Sequence, residues 1–209
     1  MKSVFGMALC LFLFSQPCCS QDANKDKAAK KPEKPVVKKT VKILKDWHLR
    51  DELARNSLAA IGSAPIMGGR LRSSDRSFAS LRARAKLFKL QNEETKKIVN
   101  AWIGKCPKDQ QASLIKLFES AAFEKHLKDQ ALFGSKISHI RIDQGRVYVL
   151  AHSAAKVYLG KVLESVEKFM TAQKVAFSKG LKDPLKKYLE QRDMAWATKQ
   201  RVYLKRIPK

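Results

Sequence analysis

The chain has few acidic residues for its size. Among its 209 residues, 19 are Asp or Glu and 43 are Lys or Arg, so the formal net charge is +24. Such an excess destabilises the compact state through self-repulsion, and it favours binding to a polyanionic partner. Nucleic acid, an anionic membrane surface and an acidic extracellular glycoprotein are the partner classes that fit. The apolar content of 44% is typical of a globular protein, so the charge accompanies an ordinary core.

Long apolar runs are also missing, apart from a short one near the start. Lys2 precedes an eleven-residue apolar run, Val4–Phe14. Cys18 and Ser20 supply the small residues expected third and first before a signal-peptidase cleavage. The run is too short to cross a bilayer. Residues 1–20 are therefore predicted to be a secretory signal peptide, and the mature protein is predicted to be secreted.

Cysteine becomes scarcer once that peptide is removed, because Cys106 is then the only one left. A secreted chain with one cysteine has no internal disulfide, so packing must stabilise its fold. Cys106 is either a small buried apolar residue or an intermolecular thiol that joins two chains in a homodimer. The sequence leaves both interpretations open.

Patterns typical of catalysis or metal binding are missing. The four histidines, His48, His126, His139 and His152, show neither the four-residue spacing of a helical zinc pair nor a neighbouring second cysteine. No Gly-x-Ser-x-Gly turn supports a serine nucleophile, and Gly68-Gly69 lacks the Gly-Lys-Ser/Thr ending of a phosphate loop. We therefore predict no enzyme activity, no catalytic residue, no metal site and no cofactor.

Residues 21–45 lack aromatic side chains and are rich in lysine. Nine lysines stand against three acidic residues, and two prolines interrupt the segment. Such a segment cannot bury enough apolar surface to offset the entropy of ordering the chain. It is predicted to be a disordered basic arm, which is either a tether to an acidic polymer or a solvating or removable tail.

From residue 46 onward, apolar residues recur at steps of three and four, as in helices that pack together. The longest such stretch, Gln144–Gly180, contains no proline and ends at a glycine suited to a C-terminal cap. It predicts a central helix longer than ~45 Å. Further helices are predicted over 46–61, 75–90, 92–103, 110–133 and from 184 onward.

Two stretches between these helices are predicted to be connections. Gly62–Ser74 is rich in glycine, serine and proline. Ser135–Gly145 leads into the central helix, although alternating Ile137, Ile140 and Ile142 leave a short extended piece open as an alternative.

The predicted fold class is thus all-α. A bundle of about five helices, over residues 46–201, surrounds one long central helix and follows the disordered arm. Residues 202–209 are predicted to form a basic C-terminal tail.

The densest group of cations surrounds the second predicted helix, whose opposite face is apolar. We predict a partner-binding basic patch, because exposed cations attract an acidic partner quickly and in a salt-dependent way. The patch consists of Arg70, Arg72, Arg76, Arg82, Arg84, Lys86 and Lys89. A second set of cations, the C-terminal basic residues, consists of Lys199, Arg201, Lys205 and Arg206.

A nucleic-acid-binding protein is one alternative interpretation. The Lys-Pro-Ala-rich arm resembles a linker-histone tail in composition, and the run Val147–Val162 resembles the middle helix of a histone fold. The predicted signal peptide argues against this interpretation, because a secreted chain rarely meets chromatin.

Several short stretches resemble the sperm acrosomal lysins of marine gastropods and their fusogenic paralogues. Leu159-Gly160 precedes an apolar stretch, a Lys179-Gly180-Leu181 break and the segment Pro184-Leu-Lys-Lys-Tyr-Leu-Glu-Gln191. Lysins have a similar Leu-Gly, a Lys-x-Met break and a Pro-Lys-Tyr-Leu ending. Lys45-Asp-Trp-His-Leu49 and Ala101-Trp-Ile103 resemble their Trp-His and Lys-Trp-Leu segments. The resemblance is scattered over about two-thirds of residues 45–195, and the lysine-rich arm and the Gly62–Ser74 insertion depart from it.

The resemblance implies a non-enzymatic protein that is stored in the sperm acrosomal vesicle and released at the egg. Lysins bind a filamentous egg-coat glycoprotein and dissolve the egg vitelline envelope stoichiometrically during fertilization. A fusogenic paralogue would instead apply basic amphipathic helices to a membrane surface. The expected partner is therefore an acidic glycoprotein of the egg coat, with a membrane surface or nucleic acid as alternatives.

Overall fold

The computed structural model describes residues 43–130 and 134–208. The chain divides into two units, 1–39 and 40–209, and every described residue belongs to the second. The predicted signal peptide and residues 21–42 of the predicted basic arm lie outside the described residues. At the end of that arm, Leu44 is buried, and its N–H donates to the carbonyl of Arg206 at 2.6 Å.

The described chain contains six α-helices and three strands. The strands are β1 (Ala59–Pro65), β2 (Ser135–Asp143) and β3 (Arg146–Ser153). The helices are α1 (Asp51–Arg55), α2 (Ser73–Ile103), α3 (Lys108–Phe118), α4 (Ala121–Lys128), α5 (Ala155–Ala172) and α6 (Lys179–Arg206). The strands form one antiparallel sheet in the order β1-β3-β2. The prediction of an all-α bundle is therefore wrong, and the fold is mixed.

The predicted central helix is replaced by a central strand followed by a shorter helix. Strand β3 pairs with both neighbours, and Val147, Val149 and Leu150 are fully buried. Ala155–Ala172 of the predicted helix forms α5, and the last two residues of that predicted helix begin α6. A strand covered on both faces carries a nearly continuous apolar run, which periodicity does not separate from a buried helix.

Strand β1 lies where the sequence predicted the end of a helix followed by a loop. Gly62, interpreted as a helix end, lies in the middle of the strand opposite Val149. A Cβ at position 62 would lie 2.2 Å from the carbonyl oxygen of Ala79 and 2.2 Å from the nitrogen of Ala83. The glycine therefore lets the backbone of α2 pack directly on the sheet.

The extended piece left open for Ser135–Gly145 is confirmed as strand β2. Gln144 and Gly145 join it to β3 with φ values of 45° and 67°, as in a two-residue type I′ hairpin turn. A register shift between Ile137 and His139 introduces a bulge into the strand.

Helix α2 is a single helix of 31 residues, where two helices were predicted. At about 1.5 Å per residue it is ~46 Å long, so it extends beyond the sheet. Its second half packs on other helices: the indole N–H of Trp102 donates to the carbonyl of Leu181 at 3.0 Å, and the Trp102 ring meets Phe118 edge to face.

The helix predicted over 110–133 is instead two helices, α3 and α4. Ser120 separates them and caps α4, because its Oγ accepts a hydrogen bond from the Phe123 N–H at 3.3 Å. Residues 131–133 lie outside the described residues.

Helix α6 contains the glycine and proline that were interpreted as the end of one helix and the start of another. Gly180 and Pro184 both lie within it, close to its N-terminus, where a missing proline N–H costs one hydrogen bond. The helix continues to Arg206, through most of the predicted basic tail, and Tyr203 and Ile207 are buried.

Both faces of the sheet carry packed elements, although the α2 face leaves part of β2 exposed. On one face, α2 lies across β1 and β3, and the main core continues from there between α2, α3, α4, α5 and α6. The other face is covered by residues 44–50, which we call the strap, together with the end of α6. The smaller core on that face includes Leu44, Trp47, Leu150, Tyr203 and Ile207.

Candidate functional site

All seven residues of the predicted basic patch are exposed, but they do not form one surface. Arg70 and Arg72 precede α2, and the other five lie within it. With about 3.6 residues per turn, Arg82, Lys86 and Lys89 share one flank of the helix. Arg84 lies on the opposite flank. The structure therefore divides the predicted patch between two sides of α2.

The flank with Arg82 faces strand β1. Arg82 donates from Nη1 to the carbonyl oxygen of Ser63 at 2.8 Å, and Arg146 donates from Nη2 to Ser63 Oγ at 3.2 Å. Two guanidinium groups, one from α2 and one from β3, thus converge on one residue of β1. Arg146 was not part of the predicted patch, because only the pairing of β1 with β3 brings it to the same residue as Arg82.

Lys86 and Lys89 extend this flank towards helix α1. Lys86 Nζ lies 3.0 Å from Asp51 Oδ2 in an exposed ion pair, which contributes little to stability. Arg55 and Lys89 form no salt bridge with any described residue. We refer to Arg55, Arg82, Lys86, Lys89 and Arg146 as the β1 cationic row.

A pocket of about 190 Å³ lies along this row. Its apolar floor is formed by Ala60, Ile61 and Leu90, and its rim carries charges of both signs. The charged lining residues are Asp51, Arg55, Lys86, Lys89 and Glu93.

The opposite flank of α2 faces strand β3. The side-chain amide of Gln91 donates to Ser153 Oγ of that strand at 2.8 Å. Arg84 precedes Gln91 by two helical turns, and Arg76 by about four, so both lie on this side of the helix. Neither arginine forms a salt bridge within the described part of the chain. We refer to Arg76 and Arg84 as the β3 flank cations.

The C-terminal basic residues lie on the last two turns of α6 rather than on a free tail. Lys199 and Arg206 share one side of the helix, while Arg201 and Lys205 share another. Between them, the buried Tyr203 anchors the helix end to the smaller core. These cations are therefore held in fixed positions.

Cys106 is buried, with 5% of its surface exposed, and its thiol donates to the carbonyl of Trp102 at 3.5 Å. Burial raises the pKa of the Cys106 thiol, which lowers its reactivity. A disulfide between two chains would require this region to open.

A cluster of histidines that the sequence analysis did not single out lies between the strap and the sheet. His48 is buried, and its Nε2 lies 2.7 Å from Asp143 Oδ2 at the end of β2. The His48 ring packs on Tyr148 with a centroid distance of 4.7 Å. Trp47 contacts His139 of β2, with 6.1 Å between ring centroids.

Two of these histidines have a lowered pKa. Burial lowers the pKa of the His139 imidazole. For His152 on β3, burial is the main cause of the lowered pKa, and the neighbouring His139 and Lys136 lower it further. Both rings are therefore neutral near pH 7. Their Nδ1 atoms have no hydrogen-bond partner among the described residues.

The His48–Asp143 pair resembles the base and its orienting carboxylate in a hydrolase triad. However, Nδ1 of His48 lacks a hydrogen-bond partner within the described residues, so no hydroxyl or thiol occupies the nucleophile's position. No group of three His, Cys, Asp or Glu in this part of the chain is arranged to hold a metal ion. The observed role of the pair is to fasten the strap to the sheet.

None of the helices in residues 43–130 and 134–208 is long and apolar enough to span a membrane. Comparisons with protein-family models, with curated proteins and with solved structures find no match to the chain. We therefore infer a function from the surface geometry and the charge distribution.

Proposed function

We propose that the protein binds an acidic macromolecule through the β1 cationic row. The observation that carries this proposal is the convergence of five cations from α1, α2 and β3, only one of which is paired with a carboxylate. Each of these cations lies on a helix or a strand, so its position depends little on loops. Such a surface steers an acidic partner during encounter and gives binding that weakens with salt.

The charge of the folded region supports the same proposal. Residues 43–208 carry 33 Lys and Arg against 16 Asp and Glu. Several acidic residues already form exposed ion pairs, such as Glu164 with Lys161 and Lys168. The remaining excess repels a second copy of the chain and attracts polyanions.

A narrower form of the proposal is that the partner is an acidic egg-coat glycoprotein, which the protein, released from an acrosomal vesicle, dissolves without catalysis. This form comes from the lysin resemblance. The general proposal does not depend on that resemblance. The fusogenic and nucleic-acid alternatives differ from it in the partner and use the same cations.

Charge reversal within the row tests the general proposal. We expect Arg55→Glu with Lys89→Glu to weaken binding of labelled poly-glutamate by about tenfold or more, which is ~1.4 kcal/mol. Neither side chain forms a hydrogen bond or ion pair among the described residues, so the fold is expected to persist. The measurement is the dissociation constant by fluorescence anisotropy at low and moderate salt.

The matched control is Lys116→Glu with Lys125→Glu, which makes the same change in net charge on exposed positions of α3 and α4. It should reduce affinity only about twofold, because distant charges are screened. Equal losses in both variants would show that net charge, and not the row, holds the partner.

The narrower form has its own test. Dissolution of isolated egg envelopes should scale with the amount of protein added and should fade at high salt. Clearance of excess envelope by trace protein would contradict it. Immunolocalisation separates the alternatives, since granule staining favours the acrosomal proposal and nuclear staining favours nucleic acid.

A further inference from the structure

The two edges of the sheet differ in how they are protected. At the β1 edge, the carbonyl of Ser63 already accepts a hydrogen bond from Arg82, and α2 packs against the backbone of Gly62. Six of the seven residues of β1 are buried or half-buried. Like most natural edge strands, β1 is therefore protected from pairing with another strand.

The β2 edge is open within the described residues. Arg141 pairs with Tyr148, and Asp143 pairs with Arg146. The backbone N–H and C=O groups of Arg141 and Asp143 therefore form hydrogen bonds with β3. The alternate residues Ile140 and Ile142 therefore direct their N–H and C=O groups away from the sheet. No described residue forms a hydrogen bond with these outward groups.

The side chains at this edge are apolar and exposed. Ile140 is 50% exposed and Ile142 is 54% exposed. They lie opposite Val149 and Val147, so they extend the face of the sheet on which α2 packs. Helix α2 covers β1 and β3 on that face but makes few contacts with β2. Lys136 and Arg141 of β2 lie on the other face of the sheet, because they pair with His152 and Tyr148.

We propose that the β2 edge is a strand-addition site for an extended acidic segment whose alternate residues are apolar. The outward backbone groups of Ile140 and Ile142 would form the ladder, and apolar residues would cover the two isoleucine side chains. Carboxylates at the positions between these apolar residues would point to the strap face, towards Lys136 and Arg141 of β2. The inference rests on the proposed function for the acidic character of the partner, while the edge geometry is independent of it.

Charge favours an acidic segment over a second copy of the chain. Antiparallel pairing of two β2 edges would bring together two folds that each carry a large positive excess. Such self-repulsion keeps proteins monomeric. An acidic strand gains from the same excess, and apolar residues in it add specificity that a simple polyanion lacks.

The test uses the full-length mature protein and three synthetic peptides. The first alternates Glu and Val over ten residues, the second is poly-glutamate of equal length, and the third is the Glu-Val peptide N-methylated at alternate residues so that it cannot form a ladder. Amide hydrogen exchange at Ile140 and Ile142 is measured by NMR with each peptide. Dissociation constants are measured alongside.

The Glu-Val peptide should slow exchange at both amides by at least about tenfold, while the N-methylated peptide should not. Ile140→Pro should abolish the effect, because it removes an outward N–H and leaves the bonds to β3 intact. Ile140→Thr with Ile142→Thr keeps strand propensity and should weaken binding by about tenfold. Lys136→Glu should weaken binding of the Glu-Val peptide more than the matched single change Lys116→Glu does.

Three results would overturn the inference. The first is equal binding of the Glu-Val peptide and poly-glutamate with no protection at β2, which leaves the proposed function intact. The second is protection of Ile140 and Ile142 that grows with protein concentration alone, which would make a second copy the occupant. The third is protection in the protein alone at every concentration, which would mean that the edge is already covered. Loss of poly-glutamate binding in the Arg55→Glu, Lys89→Glu protein concerns the proposed function only.

Discussion

The two faces of the sheet are built by different means. Under α2, the closest contact is between small residues, with Gly62 against Ala79 and Ala83, and hydrogen bonds from Arg82 and Gln91 lie to either side of it. Under the strap, the contact consists of aromatic rings, the His48–Asp143 pair and a hydrogen bond from Arg141 to the carbonyl of Lys45. One face depends on steric fit, and the other on hydrogen bonds and neutral histidines.

This difference predicts how each face responds to change. Close packing of backbone on backbone leaves no room for added atoms, but it is insensitive to pH. A face that buries imidazoles loses stability when those rings must accept protons. Mutation and pH titration should therefore affect the stability of the two faces differently.

The largest expected effect is on the face under α2. Gly62→Val should destabilise the protein by more than about 3 kcal/mol or prevent folding, because the new side chain overlaps the α2 backbone. Urea unfolding followed by circular dichroism measures it. Gly160→Ala on α5 is the control: no atom lies within 4 Å of an added Cβ there, so a gain of ~0.5–1 kcal/mol is expected. A tolerated Gly62→Val would contradict the observed contact.

On the strap face, Asp143→Ala should cost about 1–3 kcal/mol, because it leaves the buried Nε2 of His48 without its partner. Asp46→Ala removes a carboxylate from the exposed pair with Arg50 and should cost clearly less than Asp143→Ala. Chemical denaturation of both variants provides the comparison. Equal costs would show that the strap is not held by the buried pair.

Acidification should act on the strap face alone. His139 and His152 have a lowered pKa in the folded protein, so the unfolded chain binds more protons as the pH falls below about 6.5. Stability is therefore fully present above that pH and decreases over the more acidic range below it. Unfolding free energies across this range should show a smaller slope in His139→Gln with His152→Gln. An unchanged slope would assign the pH dependence to other groups.

The smallest effects come from two matched tyrosine changes. The hydroxyl of Tyr158, in the main core, donates to the carbonyl of Gln91 at 2.9 Å, so Tyr158→Phe should cost about 1–2 kcal/mol. On the other face, the buried hydroxyl of Tyr203 has no partner among the described residues, and burial raises its pKa to about 12. Tyr203→Phe should be neutral or stabilising by up to ~1 kcal/mol. Thermal unfolding of both variants measures the difference.

The sequence predicted the helices better than it predicted the sheet. The apolar periodicity located most of α2, α3, α4 and α5, because each presents one stripe to a core. It failed at β3, whose run of valine and leucine is buried on both faces, and at β1, whose Ala59–Pro65 contains small residues with little strand propensity. The alternation in β2 was recognisable because one side of that strand is exposed.

The candidate site was likewise predicted only in part. The sequence identified Arg82, Lys86 and Lys89 as part of one basic patch, because cations that are neighbours on a helix are also close in sequence. It did not identify Arg55 and Arg146, and it grouped Arg84 with residues on the other side of α2. Local spacing does not reveal which flank of a helix faces which strand.

The sequence by itself determined the large positive charge and the amphipathic stripes within most of α2, α3, α4 and α5. These properties depend on composition or on spacing within one segment. Only the tertiary structure decided that the centre of the fold is a strand, that Arg146 joins Arg82 at Ser63, and that β1 is protected while β2 is open. Those outcomes depend on which distant segments pair, and pairing is selected by the burial of the whole chain rather than by any one stretch.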